Sequence, residues 1–580
     1  MSSDAQILAP AGPPGGTADP RRWLTLVILL LAAFMNLLDV SIVNIAIPSI
    51  QRNLHASYAD VQWALAAYTL AYAVVLITGG RLGDAYGRRR LFLIGVAGFT
   101  VMSALCGAAQ SPGMLIASRA VQGAMGAIMI PQVLSVIQVI FPPAQRIKAL
   151  AAFGVTAGLG TVSGPLLGGL LTQHDLLGLD WRPIFLINVP VGIIAIAAAA
   201  ALVPESRAPR RPRLDPGGVL LASAALLLLL YPLVQGRQLG WPAWTFAAMA
   251  ASVPVLALFA WYERAKDRRD GSPLVQLGLF RQRAFSVGIA IAVVFFLGVT
   301  SFALILTLFL QVGLGFTPLH AGLTFLPFSG GVLIASAAAA RLGARFGRGV
   351  TMTGALVMAA GMAGLIATVA RYGGAVTTAE LVPGLLVAGL GMGTVLAPLT
   401  DILLAGVDRQ HAGSASGLVN TGIQLGASIG VALIGVIFFG LLGSQSGPAA
   451  AAAAPQLRSG LAAAAVPAAT AGRIQGQFGA CLHDRLVAAD PTVTPASCRI
   501  AGPAGTARPL PPAVTRVVAR AGAAATRSDF AATVERTLWF QVGVFVLSFL
   551  LMLALPRRRG RPAPAGRRAG ADLIAATGRG

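Results

Sequence analysis

Charged side chains are scarce in this chain. Asp, Glu, Lys and Arg make up 11% of its 580 residues, against 56% hydrophobic residues. A soluble domain carries about 25% charge, so a string of soluble domains is excluded and an integral membrane protein is indicated. Lysine is almost missing: Lys148 and Lys266 are the only two among 43 basic residues. The preference for arginine reads as the codon usage of a GC-rich genome. Neither lysine follows a glycine, which excludes the Gly-x-x-x-x-Gly-Lys-Ser/Thr phosphate loop. Five scattered histidines and three cysteines offer no metal-ligand spacing, so neither a metal nor a cofactor is expected. Gly413-Ser414-Ala415-Ser416-Gly417 has alanine where a nucleophile elbow needs its serine. With no catalytic constellation the chain is not expected to be an enzyme, and any work it does must draw on gradients. The net charge of +23 comes in short clusters between apolar runs rather than as one patch, so no nucleic-acid partner is expected. The first twenty residues are polar and Pro/Gly-rich, without a signal-peptide h-region, so the first apolar run is expected to stay as a span.

What the chain has is apolar runs of the length a bilayer requires, about 20 residues in a helix. They lie near 23–47, 61–80, 91–109, 114–140, 149–172, 184–203, 217–235, 242–262, 284–310, 319–340, 350–370, 380–405, 413–442 and 531–555, fourteen in all. After the second comes Gly80-Arg81-Leu82-Gly83-Asp84-Ala85-Tyr86-Gly87-Arg88-Arg89-Arg90, read as a tight cationic turn. A degraded copy, Arg341-Leu342-Gly343-Ala344-Arg345-Phe346-Gly347-Arg348, follows the tenth, with five of eight positions identical to 81–88. A repeated turn implies a duplicated unit. Two equal six-span halves would place the copy after span 8, so two extra spans sit between them, and the 217–262 hairpin is the natural candidate. The plan is all-α: a cytoplasmic tail (1–22), a six-helix bundle (23–203), an inserted hairpin with its inner loop (204–263), five helices of a second bundle (264–442), an extracytoplasmic loop (443–529), the last helix (530–555) and a basic tail (556–580).

Orientation follows from the cations. With the N-terminus inside, inner segments hold 29 Lys/Arg and the short outer loops hold four, Arg52, Arg182, Arg237 and Arg371. Both termini are therefore expected in the cytoplasm. The 443–529 segment falls outside and exceeds the roughly 60 residues over which the charge rule applies. It holds Cys481 and Cys498, either a disulfide of the oxidising side or two free thiols; it could also meet an envelope partner. Cys106 reads as a small packing residue.

Asp39 lies well inside span 1, where a carboxylate costs about 2.5–3.5 kcal/mol on insertion scales. It either faces an aqueous cavity, where it can couple proton movement to substrate movement, or holds span 1 to a neighbour as a structural acceptor. Arg119 stands five residues into span 4, and Gln122 shares its helix face; it either joins a polar patch toward the cavity or snorkels to the outer interface. Asn44, Gln122, Gln132 and Asp401 are candidates to line a substrate cavity, whereas Glu380 reads as an interfacial residue. Gly154, Gly158, Gly160, Gly164, Pro165, Gly168 and Gly169 on span 5 read as a hinge or a close helix contact. In the signature turn, Gly80 and Gly87 allow reversal, while Asp84 can pair with Arg88 as a latch. Ala344 replaces Asp84 in the copy, so the acidic latch is expected only in the first half.

These motifs together resemble the major facilitator superfamily, in particular its fourteen-span drug:proton antiporters of the EmrB/QacA type. Gly80-x-Leu82-Gly83-Asp84-Ala85-x-Gly87-Arg88-Arg89 is similar to the family's loop 2–3 signature. Leu38-Asp39-Val40-Ser41-Ile42-Val43-Asn44-Ile45-Ala46-Ile47-Pro48 resembles the span 1 signature of the fourteen-span group. Arg119-Ala120-Val121-Gln122-Gly123 resembles the span 4 motif whose arginine is implicated in proton transfer, and Gly160-x-x-x-Gly164-Pro165-x-x-Gly168-Gly169 the span 5 motif of exporters. Trp181 to Gly192 resembles the usual start of span 6, except that Pro183 replaces an aromatic. The resemblance covers roughly 20–442 and 531–555; the long 443–529 segment departs from it. It implies a major facilitator fold and proton-coupled efflux of small lipophilic or cationic compounds by a monomer in a bacterial cytoplasmic membrane. Its partners would be the small-molecule substrate, protons and the lipid bilayer. Export of one endogenous lipid, siderophore or antibiotic is the alternative.

Overall fold

The computed structural model describes residues 21–555 apart from 175–177, 208–214, 237–238, 272, 347, 405–411, 489–494 and 499–510. All regular structure among these residues is helical. The first half comprises α1 (Arg22–Leu54), α2 (Tyr58–Tyr86), α3 (Arg88–Gly107), α4 (Pro112–Ile140), α5 (Pro143–Gln173), α6 (Pro183–Leu186) and α7 (Asn188–Leu202). The hairpin α8 (Pro216–Gln235) and α9 (Ala243–Asp270) follows. The second half comprises α10 (Arg283–Leu308), α11 (Pro318–Thr324), α12 (Leu326–Phe346), α13 (Arg348–Tyr372), α14 (Thr378–Leu404), α15 (Ala412–Ala463), α16 (Ala468–Val487) and α17 (Pro512–Leu553).

Local signals set several of these boundaries. Ser57 and Asp60 form a reciprocal capping box at the start of α2, with Asp60 N donating to Ser57 Oγ at 3.1 Å and Ser57 N to Asp60 Oδ2 at 2.9 Å. Ser111 caps α4 ahead of Pro112, the first helical position where a missing N–H costs nothing. Among the described residues thirteen helical spans are long and apolar enough to cross a membrane. The run expected at 149–172 lies within α5, a 31-residue helix about 46 Å long.

Two ends of the bundle can be told apart. At the terminal face α1 begins and α17 ends, and Trp23 stacks edge-on against Phe141 at 5.0 Å; the opposite end is the far face. Four of the contacts that join the halves lie in the far portion of the bundle. Thr69 Oγ1 and Ser428 Oγ are 2.5 Å apart between α2 and α15. The Tyr58 and Phe439 rings approach to 4.1 Å. Leu319 N donates to Gln173 Oε1 at 3.2 Å. Gln311 Nε2 donates to the Ile45 carbonyl at 2.7 Å from a π-helical turn, Phe309–Gly313, that ends the α10 span.

The hairpin covers the seam between the halves. Leu230 and Val234 of α8 are buried against Ala59 and Leu70 of α2 and Ala432 of α15. On α9, Trp244, Phe246, Val253, Leu258 and Trp261 are exposed, the pattern of a helix facing lipid.

The 443–529 segment, expected as a loop, is largely helical. α15 runs unbroken for 52 residues, about 78 Å, far more than a hydrocarbon core of about 30 Å requires. α16 lies against it through a buried stripe at Ile474, Phe478, Leu482 and Leu486. Leu457 and Leu461 of α15 and Val514 of α17 belong to the same core. Alanine is the best helix former, and the four-residue spacing of that stripe gives this projection an apolar centre of its own.

The signature turn also differs from its sequence reading. Residues 80–86 continue α2, and only Gly87, at φ 115°, leaves the helix. Gly80 and Gly83 do not reverse the chain but let α2 lie close to α4: a Cβ on Gly80 would touch Pro131 at 3.7 Å, and one on Gly83 would overlap the Gln132 amide.

Candidate functional site

Asp39 is the seventeenth residue after Arg22, about 25 Å along α1, and is completely buried. Arg119, seven residues into α4, is 1% exposed, so it does not snorkel. Its Nη1 donates to Asp39 Oδ2 at 2.5 Å and to Gln122 Oε1 at 2.8 Å. Gln122 Nε2 donates in turn to Asp39 Oδ1 at 3.0 Å, which closes a three-membered ring of side chains. The i,i+3 spacing of Arg119 and Gln122 makes this ring possible from one helix.

Three further helices complete the enclosure. Asn188, the first residue of α7, donates to Asp39 Oδ1 and to Ser103 Oγ of α3, both at 3.0 Å. Ser103 Oγ donates to the Phe185 carbonyl at 2.9 Å. The run expected at 184–203 is one span, Pro183–Leu202, whose backbone stays helical through Ile187, and Asn188 follows directly. Arg119 Nε donates to the Ala64 carbonyl of α2 at 3.3 Å. Its guanidinium lies 4.1 Å from the centre of the Tyr68 ring, a cation–π contact. Tyr68 Oη accepts from Asn36 Nδ2 at 2.7 Å, and Cys106 Sγ approaches Gln122 Oε1 at 3.6 Å.

A desolvated carboxylate with a fixed counter-charge and two amide donors has two self-consistent states. Ionised, Asp39 is held by Arg119. Protonated, it would carry no charge for the guanidinium to balance, while Gln122 Oε1 and the Ala64 carbonyl remain as acceptors for Arg119. Buried ion pairs contribute little net stability, so the pair is weak evidence for fastening alone.

The remaining sequence candidates separate. Gln132 is buried, and its Nε2 donates to the Gly79 carbonyl of α2 at 2.8 Å; it ties two helices of one half together and does not touch the Asp39 ring. Asn44 is half-buried, five residues beyond Asp39 and about 140° around α1 from it. The Asp401 side chain falls outside the described residues. Asn188, Ser103, Tyr68 and Asn36 were not singled out from the sequence, although each is a polar group in an apolar run.

The glycines of α5 face two partners. Gly160, Gly164 and Gly168 lie against Leu37, Ser41 and Ile42 of α1, with Ser41 Oγ donating to the Gly160 carbonyl at 3.0 Å. Gly169 instead meets the other half: a Cβ there would stand 2.6 Å from the Pro318 carbonyl oxygen and 2.8 Å from Leu319 Cα.

At the terminal face Arg88 pairs with Asp84 through Nη2 at 2.9 Å, and Arg88 N donates to the Ser206 carbonyl at 2.9 Å. Arg89 reaches the Ala200 carbonyl near the end of α7. In the copy, Arg348 Nη1 donates to the Leu553 carbonyl at 3.1 Å and to that of Leu555, at the end of α17. Each turn thus satisfies free carbonyls at the end of the last helix of its own half, where a cation is favoured. The copy therefore does more than carry positive charge. Cys481 and Cys498 are joined by a disulfide in the far-face projection, with Cα atoms 4.6 Å apart, while Cys106 is free and buried.

Comparison with known proteins gives a consistent result. The family model described as Major Facilitator Superfamily matches residues 29–431. The chain is 43% identical over 550 residues to a probable actinorhodin transporter of Streptomyces coelicolor, covering 94% of each chain. It is 35% identical over 426 residues to a tetracenomycin C resistance and export protein of Streptomyces glaucescens, covering 73% of this chain and 77% of that one. Against the multidrug efflux pump LfrA of Mycolicibacterium smegmatis it is 33% identical, covering 79% and 91%. Among solved structures, a bacterial homologue of the lysosomal transporter Spinster, inward-facing and unoccupied, superposes with a TM-score of 0.58 at 17% identity over 94% of this chain and 100% of that one. At that identity the likeness speaks for the fold alone.

Proposed function

The chain belongs to the major facilitator superfamily, and from that premise we propose that it is a proton-coupled exporter of small lipophilic or cationic compounds. It works as a monomer in a bacterial cytoplasmic membrane, with both termini in the cytoplasm and the 443–529 projection outside. The single observation that carries this reading is the enclosed Asp39–Arg119 pair with its Gln122 and Asn188 donors.

In this mechanism substrate enters between the halves from the cytoplasm or inner leaflet. Protonation of Asp39 frees Arg119 and loosens α1 from α4. Because α1 also carries the Ile45 carbonyl held by Gln311, and lies on the α5 glycines, a shift of α1 is felt at the contacts that close the far face. Those contacts include the polar pairs Thr69–Ser428 and Gln173–Leu319, which a gate that opens in each cycle can break and remake. One elementary charge crossing 100 mV yields about 2.3 kcal/mol, enough for one or two protons to sustain a useful gradient.

The test is uptake into inside-out vesicles of a panel of lipophilic cations and neutral drugs under an imposed pH gradient. Gradient-dependent uptake of some members is expected, and no uptake of any would overturn the reading.

One observation favours the narrower alternative, a dedicated exporter of one compound made by the cell. The match to the actinorhodin transporter spans 94% of both chains, well beyond the 29–431 core, whereas the tetracenomycin relative matches 73% of this chain. A projection common to such a pair fits a role with one cargo or an envelope partner. A knockout that accumulates one metabolite without becoming sensitive to unrelated drugs would support it; broad drug sensitivity would exclude it.

A further inference from the structure

The inserted hairpin closes at its base on two buried carboxyl groups that the transport reading does not use. Asp215 caps α8: its Oδ1 accepts from Gly218 N at 2.9 Å and from the Tyr262 hydroxyl at 3.0 Å, and its Oδ2 accepts from Leu274 N at 3.1 Å. Glu263, near the end of α9, accepts from Val275 N through Oε2 at 2.8 Å. Both side chains are buried, Asp215 1% and Glu263 0% exposed. They face each other across Gly218, where an added Cβ would collide with both Asp215 Oδ2 and Glu263 Oε1. Yet Glu263 Oε1 has no donor.

Two ionised carboxylates in such a site repel, and a buried acceptor without a donor is costly. A single proton removes both penalties, because the neutral carboxyl then donates to its ionised neighbour. The groups facing the pair are Tyr262 and Lys266 on α9, the latter 4.0 Å from Asp215 Oδ1, and Arg81 of α2, which hydrogen-bonds the Pro273 carbonyl. The two cations oppose protonation, Arg81 acting on Glu263 through its charge, but Glu263 Oε1 has no hydrogen-bond donor. The chain held by the pair, residues 273–275, leads from the hairpin into the second half.

We propose that Asp215 and Glu263 form a proton-binding carboxyl pair whose shared proton clamps residues 273–275 to the base of the inserted hairpin. Release of that proton to water leaves two like charges and loosens the clamp. Through the Pro273 carbonyl the clamp also bears on Arg81, so the protonation state of the hairpin is felt by the last turn of α2. This device does not depend on the efflux reading and needs no substrate to be observed.

The experiment uses the full-length protein in lipid nanodiscs with two readouts. In infrared difference spectra across a neutral-to-acid titration, a carboxylic-acid carbonyl band is expected that disappears in both E263Q and D215N and survives in D39N. Asparagine retains the N-cap role, so D215N keeps α8 intact. In a Cys106→Ser background, a nitroxide attached at Gln276→Cys is expected to gain mobility severalfold as the pH rises in the wild type. In E263Q, whose amide donates as the protonated acid does, it should stay at the acid value throughout. A carbonyl band unaffected by either substitution, or an E263Q mobility profile that tracks the wild type, overturns the proposal.

Discussion

Replacing Arg119 by leucine strands the Asp39 carboxylate in a fully buried site. Oδ2 then loses its donor at 2.5 Å, while Oδ1 keeps Gln122 and Asn188 at 3.0 Å each. Removing one partner of a buried pair costs about 3–5 kcal/mol, and insertion scales give about 2.5–3.5 kcal/mol for a lone charge near mid-membrane. With two of three donors retained, the lower end applies, about 3 kcal/mol. Arg119→Leu should also forfeit the Tyr68 ring contact and the Ala64 bond, which are shared with no other charge. Asp39→Asn alone should be milder, because Arg119 keeps Gln122, Ala64 and Tyr68 as partners. The double variant removes both charges at once and should recover about 2 kcal/mol relative to Arg119→Leu. Equilibrium unfolding of the four proteins in mixed micelles measures this cycle. Wild-type stability in Arg119→Leu, or a double variant no more stable than that single one, would refute the claim that the two charges are held as a pair.

Gly169→Leu cannot fit while Pro318 and Leu319 stand within 3 Å of its Cβ, so it should hold the far face open; an impermeant thiol reagent should label a Leu319→Cys reporter severalfold faster. Gly164→Leu, facing α1 within the same half, should not have that effect. Reduction of the Cys481–Cys498 bridge, which closes a loop across 17 residues, should cost the projection about 3 kcal/mol. Proteolysis of α16 would then quicken while the gradient-driven transport of the remaining bundle persists.

Much of the bundle was legible because a membrane simplifies the sequence problem: runs of about 20 apolar residues can hardly be anything else. Asp39 and Arg119 stood out for the same reason, as charges where charge is expensive. The signature turn and its copy, after the second and tenth apolar runs, pointed to two extra spans between the halves. What the sequence does not carry is which polar groups on different helices meet. Gln122 and Gln132 lie on one helix and look alike, yet one binds Asp39 and the other a backbone carbonyl of α2. Asn188 was hidden because its role depends on how α7 crosses α1. Gly80 and Gly83 suggested a reversal, but small residues serve helix contact as readily as they serve turns. The 443–529 segment misled by composition, since proline and glycine spoke for a loop while its alanines and the buried stripe of α16 make helix.

The account stands or falls on whether the proton acts at Asp39. Wild-type protein and Asp39→Asn, reconstituted in liposomes and loaded with a transported fluorescent cation, can be compared for uptake against an imposed pH gradient and for exchange at equal pH. The account predicts that Asp39→Asn loses gradient-driven accumulation while retaining exchange. Accumulation at the wild-type rate and extent in Asp39→Asn would contradict it.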